Sequence, residues 1–123
     1  MAGVRPLALL LCAMGLLFAA ADQEGDFKIR FEPTAKLQTG VEIPFEVRVS
    51  DSLGKPLQRN GQVELSIAPQ NQETGTTVKA WFVQPGVFIA KPVFPSEGQW
   101  AVTVVARRED KVSRRTIMFA VVP

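Results

Sequence analysis

From Phe27 onward the chain alternates apolar and polar residues almost one for one. Phe27, Ile29 and Phe31 are separated by Lys28 and Arg30, and Val41, Ile43, Phe45, Val47 and Val49 are interleaved with Glu42, Glu46 and Arg48. Successive strand side chains point to opposite faces, so each run carries one apolar and one wet face. The three-to-four spacing of an amphipathic helix is absent from this region, and the period of two points to an all-β domain. Pro44 interrupts the second run; lacking an N–H for the ladder, it marks an edge or a bulge there.

The alternation recurs down the chain with turn chemistry between runs. "DSLGKPL" (51–57) is a connection rich in Asp, Ser, Gly and Pro. Val63, Leu65 and Ile67 resume the pattern until Pro69, "TTVKAWFV" (76–83) continues it, and Pro85-Gly86 predicts a type II turn into "VFIAKPVF". After "SEG" (96–98), Trp100, Val102, Val104 and Ala106 share one face, "REDKVS" turns the chain, and Thr116 to Val122 closes it. The sum is about seven strands at intervals of roughly 10 to 15 residues, the pattern of an antiparallel β-sandwich.

The first 21 residues have a different character. Arg5 precedes a nearly unbroken aliphatic run from Leu7, and "FAAAD" ends it with small residues, the three-part layout of a secretory signal peptide. The apolar run from Leu7 to Ala21 is 15 residues long, short of the roughly 20 that span a bilayer as a helix. Residues 1–21 are therefore read as a leader cleaved after Ala20 or Ala21, with an uncleaved anchor as the alternative, and residues 22–123 as one exported domain, periplasmic or extracellular. Leu11 directly before Cys12 does not fit a lipoprotein signal. "DQEGD" reads as a lead-in ahead of the fold.

Removing the leader takes away only Arg5 among 14 basic residues and none of the 12 acidic ones, leaving a net charge of +1. Bulk charge thus implies neither nucleic acid nor an acidic membrane as partner. The remaining chain has no Cys and no His, so it depends on core burial rather than disulfides. It also cannot build the common nucleophile–base pairs, and the expectation is a protein that is not an enzyme. Met118 is the one soft metal ligand left, and no cofactor or metal is expected.

Three features can carry recognition instead. Trp81 shares parity with Lys79 and Val83, which puts it on the exposed face, whereas Trp100 shares parity with core residues. The loop "APQNQETG" (68–75) offers Gln70 and Asn71, with Glu73 its only charge. Arg107, Arg108, Arg114 and Arg115 flank the last turn, where two arginine pairs brought together would hold a carboxylate or phosphate.

The order of the turns supports a further reading. "TGVEIPFEVRVSDSLGKPL", "GQVELSI", "PGVFIAKPVFPSEGQWAVTVVA" and "IMFAVV" resemble the YtkA-like, FixH-related domain of exported bacterial proteins. The resemblance rests on Asp51, Gly54, Lys55 and Pro56, on Pro85, Gly86, Phe88 and Ala90, and on Phe94, Gly98, Trp100, Val102 and Val104, and it covers nearly all of residues 39–122. It implies an immunoglobulin-like sandwich in a group associated with copper handling or respiratory oxidase assembly. Where members that handle copper carry a Met-rich segment, this chain reads "APQNQETG", so the resemblance transfers no metal ligand. The expected function is contact with another envelope or secreted protein, with glycan or small-ligand binding at loops near Trp81 as the alternative and copper handling after it.

Overall fold

The computed structural model describes residues 25–72 and 74–123. The signal-peptide reading of residues 1–21 and the place of Glu73 lie outside the described residues. Seven strands follow in order: β1 (Phe27–Pro33), β2 (Phe45–Asp51), β3 (Gln62–Pro69), β4 (Thr76–Gln84), β5 (Val87–Ala90), β6 (Gly98–Arg108) and β7 (Lys111–Val121). Among the described residues no helix is long and apolar enough to cross a membrane.

All neighbouring strands are antiparallel, and they form one nearly closed sheet in the order β1-β2-β5-β4-β3-β6-β7. The expectation of two stacked sheets meets a continuous one here, and β4 is the reason. Its first half, Thr76 to Ala80, pairs with β3, while its second half pairs with β5. Between Phe82 and Gln84 the register shifts, leaving Val83 without a rung partner. A bulge of this kind bends and twists its strand, so β4 turns the corner between two half-sheets.

The far edges, β1 and β7, face each other without a main-chain ladder. Side chains bridge the seam: the buried Ser113 hydroxyl accepts the Phe27 N–H at 2.8 Å, and Arg115 Nη1 donates to the Ile29 carbonyl at 2.8 Å. At the other end, after Thr34 N–H binds the Pro44 carbonyl, the connection leaves β2 and Gln38 forms a parallel bridge with Val122. Both edges are thus covered in part, which blunts their tendency to pair with other chains.

The parity read from sequence places the core. Phe27, Ile29, Phe45, Val47, Val63, Leu65, Ile67, Val102, Val104 and Ala106 are all buried in one cluster. At the pole opposite the last hairpin, an aromatic chain links the half-sheets: Phe31 to Phe45 at 6.5 Å between ring centres, Phe45 to Phe94 at 6.3 Å, and Phe94 edge-on to Trp100 at 5.5 Å. Trp100 is 4% exposed and its Nε1 donates to the Ser96 carbonyl at 2.9 Å, so the indole is both packed and satisfied.

Three boundaries depart from the sequence expectation. β2 begins after Pro44, where the missing N–H ends the ladder, and Val41 is exposed while Ile43 stays buried. β5 stops at Ala90, with Pro92 close behind. β7 starts at Lys111 rather than Thr116, because the last turn is only Glu109 and Asp110, with Glu109 at φ 58°.

Candidate functional site

Rung partners share a face, so the register assigns the outer surface of β1, β2, β5 and the end of β4. One row across it reads Glu32, Glu46, Ile89, Trp81, and the next reads Arg30, Arg48, Val87. The face therefore has a charged half on β1–β2 and an apolar, aromatic half on β5–β4. Trp81 and Val83 are each 51% exposed, Trp81 because of strand parity and Val83 because it is the bulge residue.

The Lys91 ammonium lies 5.6 Å from the centre of the Trp81 ring, and the Arg59 guanidinium sits 4.4 Å over Phe82, within cation–π reach. Beside them a shallow cavity of about 310 Å³ is lined by Asn60, Gly61, Gln62, Lys79 and Trp81. Gln70 and Asn71 are exposed but belong to the other end of β4. Thr76 and Trp81 are five residue steps apart along the strand, roughly 17 Å at 3.3–3.4 Å per residue. The loop and Trp81 do not form one site; the polar neighbours of the indole come from the turn before β3.

That loop has its own local logic. Gln70 N–H binds the Gln99 carbonyl at 3.0 Å and Gln72 N–H the Pro69 carbonyl at 3.0 Å. Gly75 passes so close to β3 that an added Cβ would collide with the Ile67 carbonyl oxygen. A groove of about 370 Å³ under the loop is lined by Ser66, Thr77, Thr103 and Gln72 among others, a hydroxyl-rich surface.

The arginine quartet is split rather than assembled. Register pairs Arg107 with Val112 and Arg114 with Val105 on the outer face, and Arg115 with Val104 on the inner one. Arg107 Nη2 approaches Glu64 at 3.9 Å with both side chains about half exposed, a pairing worth little. Arg108 instead lies 5.6 Å from the Phe27 ring centre, and Arg115 serves the seam. Alternation makes consecutive arginines diverge, so the two pairs do not converge on one face. Met118, the one soft ligand of residues 22–123, faces outward on β7 at 43% exposure.

Asp51 ends β2 and organises the turn after it. Its Oδ1 accepts the Lys55 and Leu53 N–H groups, each at 2.9 Å. The Lys55 N–H bond is the main cause that holds the carboxyl below its usual range; partial desolvation opposes it, and the Leu53 N–H and the charges of Lys55 and Arg108 add to it. This is turn architecture, which accounts for "DSLGKP" without a ligand.

The basic residues of β1 and β2 carry no site signal in the sequence, since charges on a wet strand face read as solvated. Only the register, which sets Arg30 against Arg48 and Lys28 against Ser50, gathers them.

No protein-family model and no curated protein sequence matches this chain. Among solved structures, it is similar to the crystal structure of an engineered protein, with a TM-score of 0.54 at 17% identity over 76% of this chain. The match spans 20% of that longer chain, and at such low identity it speaks for the fold alone.

Proposed function

We propose that this chain is an exported, non-enzymatic immunoglobulin-like module that works by contact with another envelope or secreted protein. The reading of the nearly closed sheet as an immunoglobulin-like sandwich draws support from β4, whose halves pair with β3 and with β5, and from the parallel bridge of Gln38 with Val122. Strands that switch sheets at bends are how sandwich corners are made. The resemblance to YtkA-like domains and the leader-like pattern read in the sequence of residues 1–21 support the envelope setting.

The observation that carries the contact reading is Trp81. A half-exposed indole beside the half-exposed Val83 and the partly buried Ile89 forms an aromatic–aliphatic patch with a charged border, the anatomy of a protein interface. A photo-crosslinking residue at position 81 in the producing cell is expected to trap one partner, while the same residue at Thr103, on the other half-sheet, traps none. Equal labelling from both positions would sink the assignment of this face.

One observation favours a glycan or small-ligand reading: the cavity of Asn60, Gln62 and Lys79 lies directly beside the indole. A saturable shift of tryptophan emission on titration with oligosaccharides, lost in Trp81→Ala, would select it. Copper handling, the wider family's association, finds no Met, His or Cys in the 68–75 loop to support it. Equilibrium dialysis with Cu(I) is expected to show no tight stoichiometric binding.

A further inference from the structure

We propose that the outer face of β1–β2 is a carboxylate-recognition groove that takes an extended, acidic segment of the protein partner; this rests on the contact reading above. The groove holds about 350 Å³, and its floor is set by two successive rungs, Lys28 opposite Ser50 and Arg30 opposite Arg48. Three cations and a hydroxyl thus line one side; no carboxylate lines this groove, and Glu32 and Glu46 line the neighbouring cavity that shares Arg30 and Arg48.

Two like charges directly opposite each other destabilise a strand pair, and Arg30 and Arg48 stand in that arrangement. Glu46 relieves Arg48 through its Nε at 3.3 Å. Among the described residues, neither Lys28 nor Arg30 has an ion-pair partner within 4.0 Å. An anion bound between the rows would remove the repulsion and supply charge-assisted hydrogen bonds.

The groove is preorganised on its second side. Pro56 and Gly86 form the wall; two main-chain bonds clasp it to β2, Val49 N–H to the Gly86 carbonyl at 2.9 Å and Leu57 N–H to the Val49 carbonyl at 3.0 Å, and Gly86 N–H to the Leu57 carbonyl at 2.8 Å ties its two segments together. Gly86 is required there, with φ 81° and an added Cβ only 2.8 Å from the Pro56 Cβ. A fixed wall lowers the ordering cost of binding.

Spacing selects the ligand. Lys28 and Arg30 are alternate residues of a strand, about 6.7 Å apart, the same repeat at which an extended peptide presents alternate side chains. Acids at positions i and i+2 match Lys28 and Arg30 one to one, whereas a single tetrahedral anion would have to be shared between them. The groove also adjoins the Trp81 face through Val87, the rung partner of both Arg48 and Gln84. The partner's acidic segment on β1–β2 and its apolar contact with Trp81 and Val83 thus fall on one continuous face.

The test is fluorescence anisotropy of a labelled hexapeptide alternating Glu and Thr, titrated with the full chain at low ionic strength. Saturable binding is expected, weakening at least tenfold in Arg30→Gln and in Lys28→Gln and falling as salt is raised, with less than a twofold change in Lys36→Gln. Absence of saturable binding, an unaffected Arg30→Gln variant, equal binding of a Gln/Thr peptide, or inorganic phosphate binding as tightly as the acidic peptide would each overturn the groove. Any of these together with intact crosslinking at position 81 removes the groove alone; loss of the crosslink removes the contact reading itself.

Discussion

The two tryptophans stand in the same fold under opposite conditions. Trp100 is 4% exposed, stacked edge-on against Phe94 and hydrogen-bonded to Ser96, at the pole where β1, β2, β6 and β7 share an aromatic core. Trp81 is 51% exposed at the corner of β4, with one cation near its ring and bulge residue Val83 beside it. The first ring joins the two half-sheets, and its nitrogen is satisfied inside the protein. The second leaves half its apolar surface in water, which a partner could cover at no cost in core packing. A large aromatic residue is thus structural or available according to which side of one strand it occupies.

The largest expected effect tests the buried side of this contrast. Trp100→Ala should lose about 3–5 kcal/mol in chemical denaturation; a loss near zero would place both rings in the same category. Gly86→Ala should follow at about 1–3 kcal/mol, because its left-handed backbone and the Pro56 contact both oppose a side chain. Since Gly86 walls the groove beside the Trp81 face, this variant should also weaken acidic-peptide binding. Ser113→Ala leaves the buried Phe27 N–H without its acceptor and should cost about 1–2 kcal/mol, with faster amide exchange at the start of β1.

Trp81→Ala should change stability by less than about 1 kcal/mol, as exposed positions do. Iodide should quench Trp81 readily in the native protein and leave Trp100 emission largely untouched; equal quenching would erase the distinction. The smallest effect is a pH dependence away from both rings. The Asp51 carboxyl titrates lower in the folded chain than in the unfolded one. Its contribution is therefore full above the unfolded Asp value near 4 and is lost as pH falls through the lowered folded value. Asp51→Asn should flatten the acid limb of the stability curve and leave the chain less stable near neutral pH.

Much of the fold was legible because strand parity is a local property. Phe27, Ile29, Leu65 and Val104 announce their inward face simply by alternating with polar neighbours, and Trp100 and Trp81 were separated by the same rule. Turn residues were equally direct: Pro85-Gly86 makes its tight connection, with Gly86 at φ 81°. Less of the candidate surfaces was legible. The four arginines looked like one cluster along the chain, yet Arg107 and Arg114 face outward while Arg115 reaches across to Ile29. Gln70 and Asn71 lie near Trp81 in sequence and a strand length from it in space.

The sequence by itself determined an all-β chain, its seven strands and which side of each strand is buried, because those follow from period-two patterning and from Gly and Pro at turns. Only the tertiary structure decided that β4 serves two partners, that the sheet nearly closes, and that Lys28, Arg30 and Arg48 come together on one face. Alternation specifies faces but not neighbours. Which strands pair, and in what register, depends on contacts between residues distant in the chain, and the groove on β1–β2 exists only through that register.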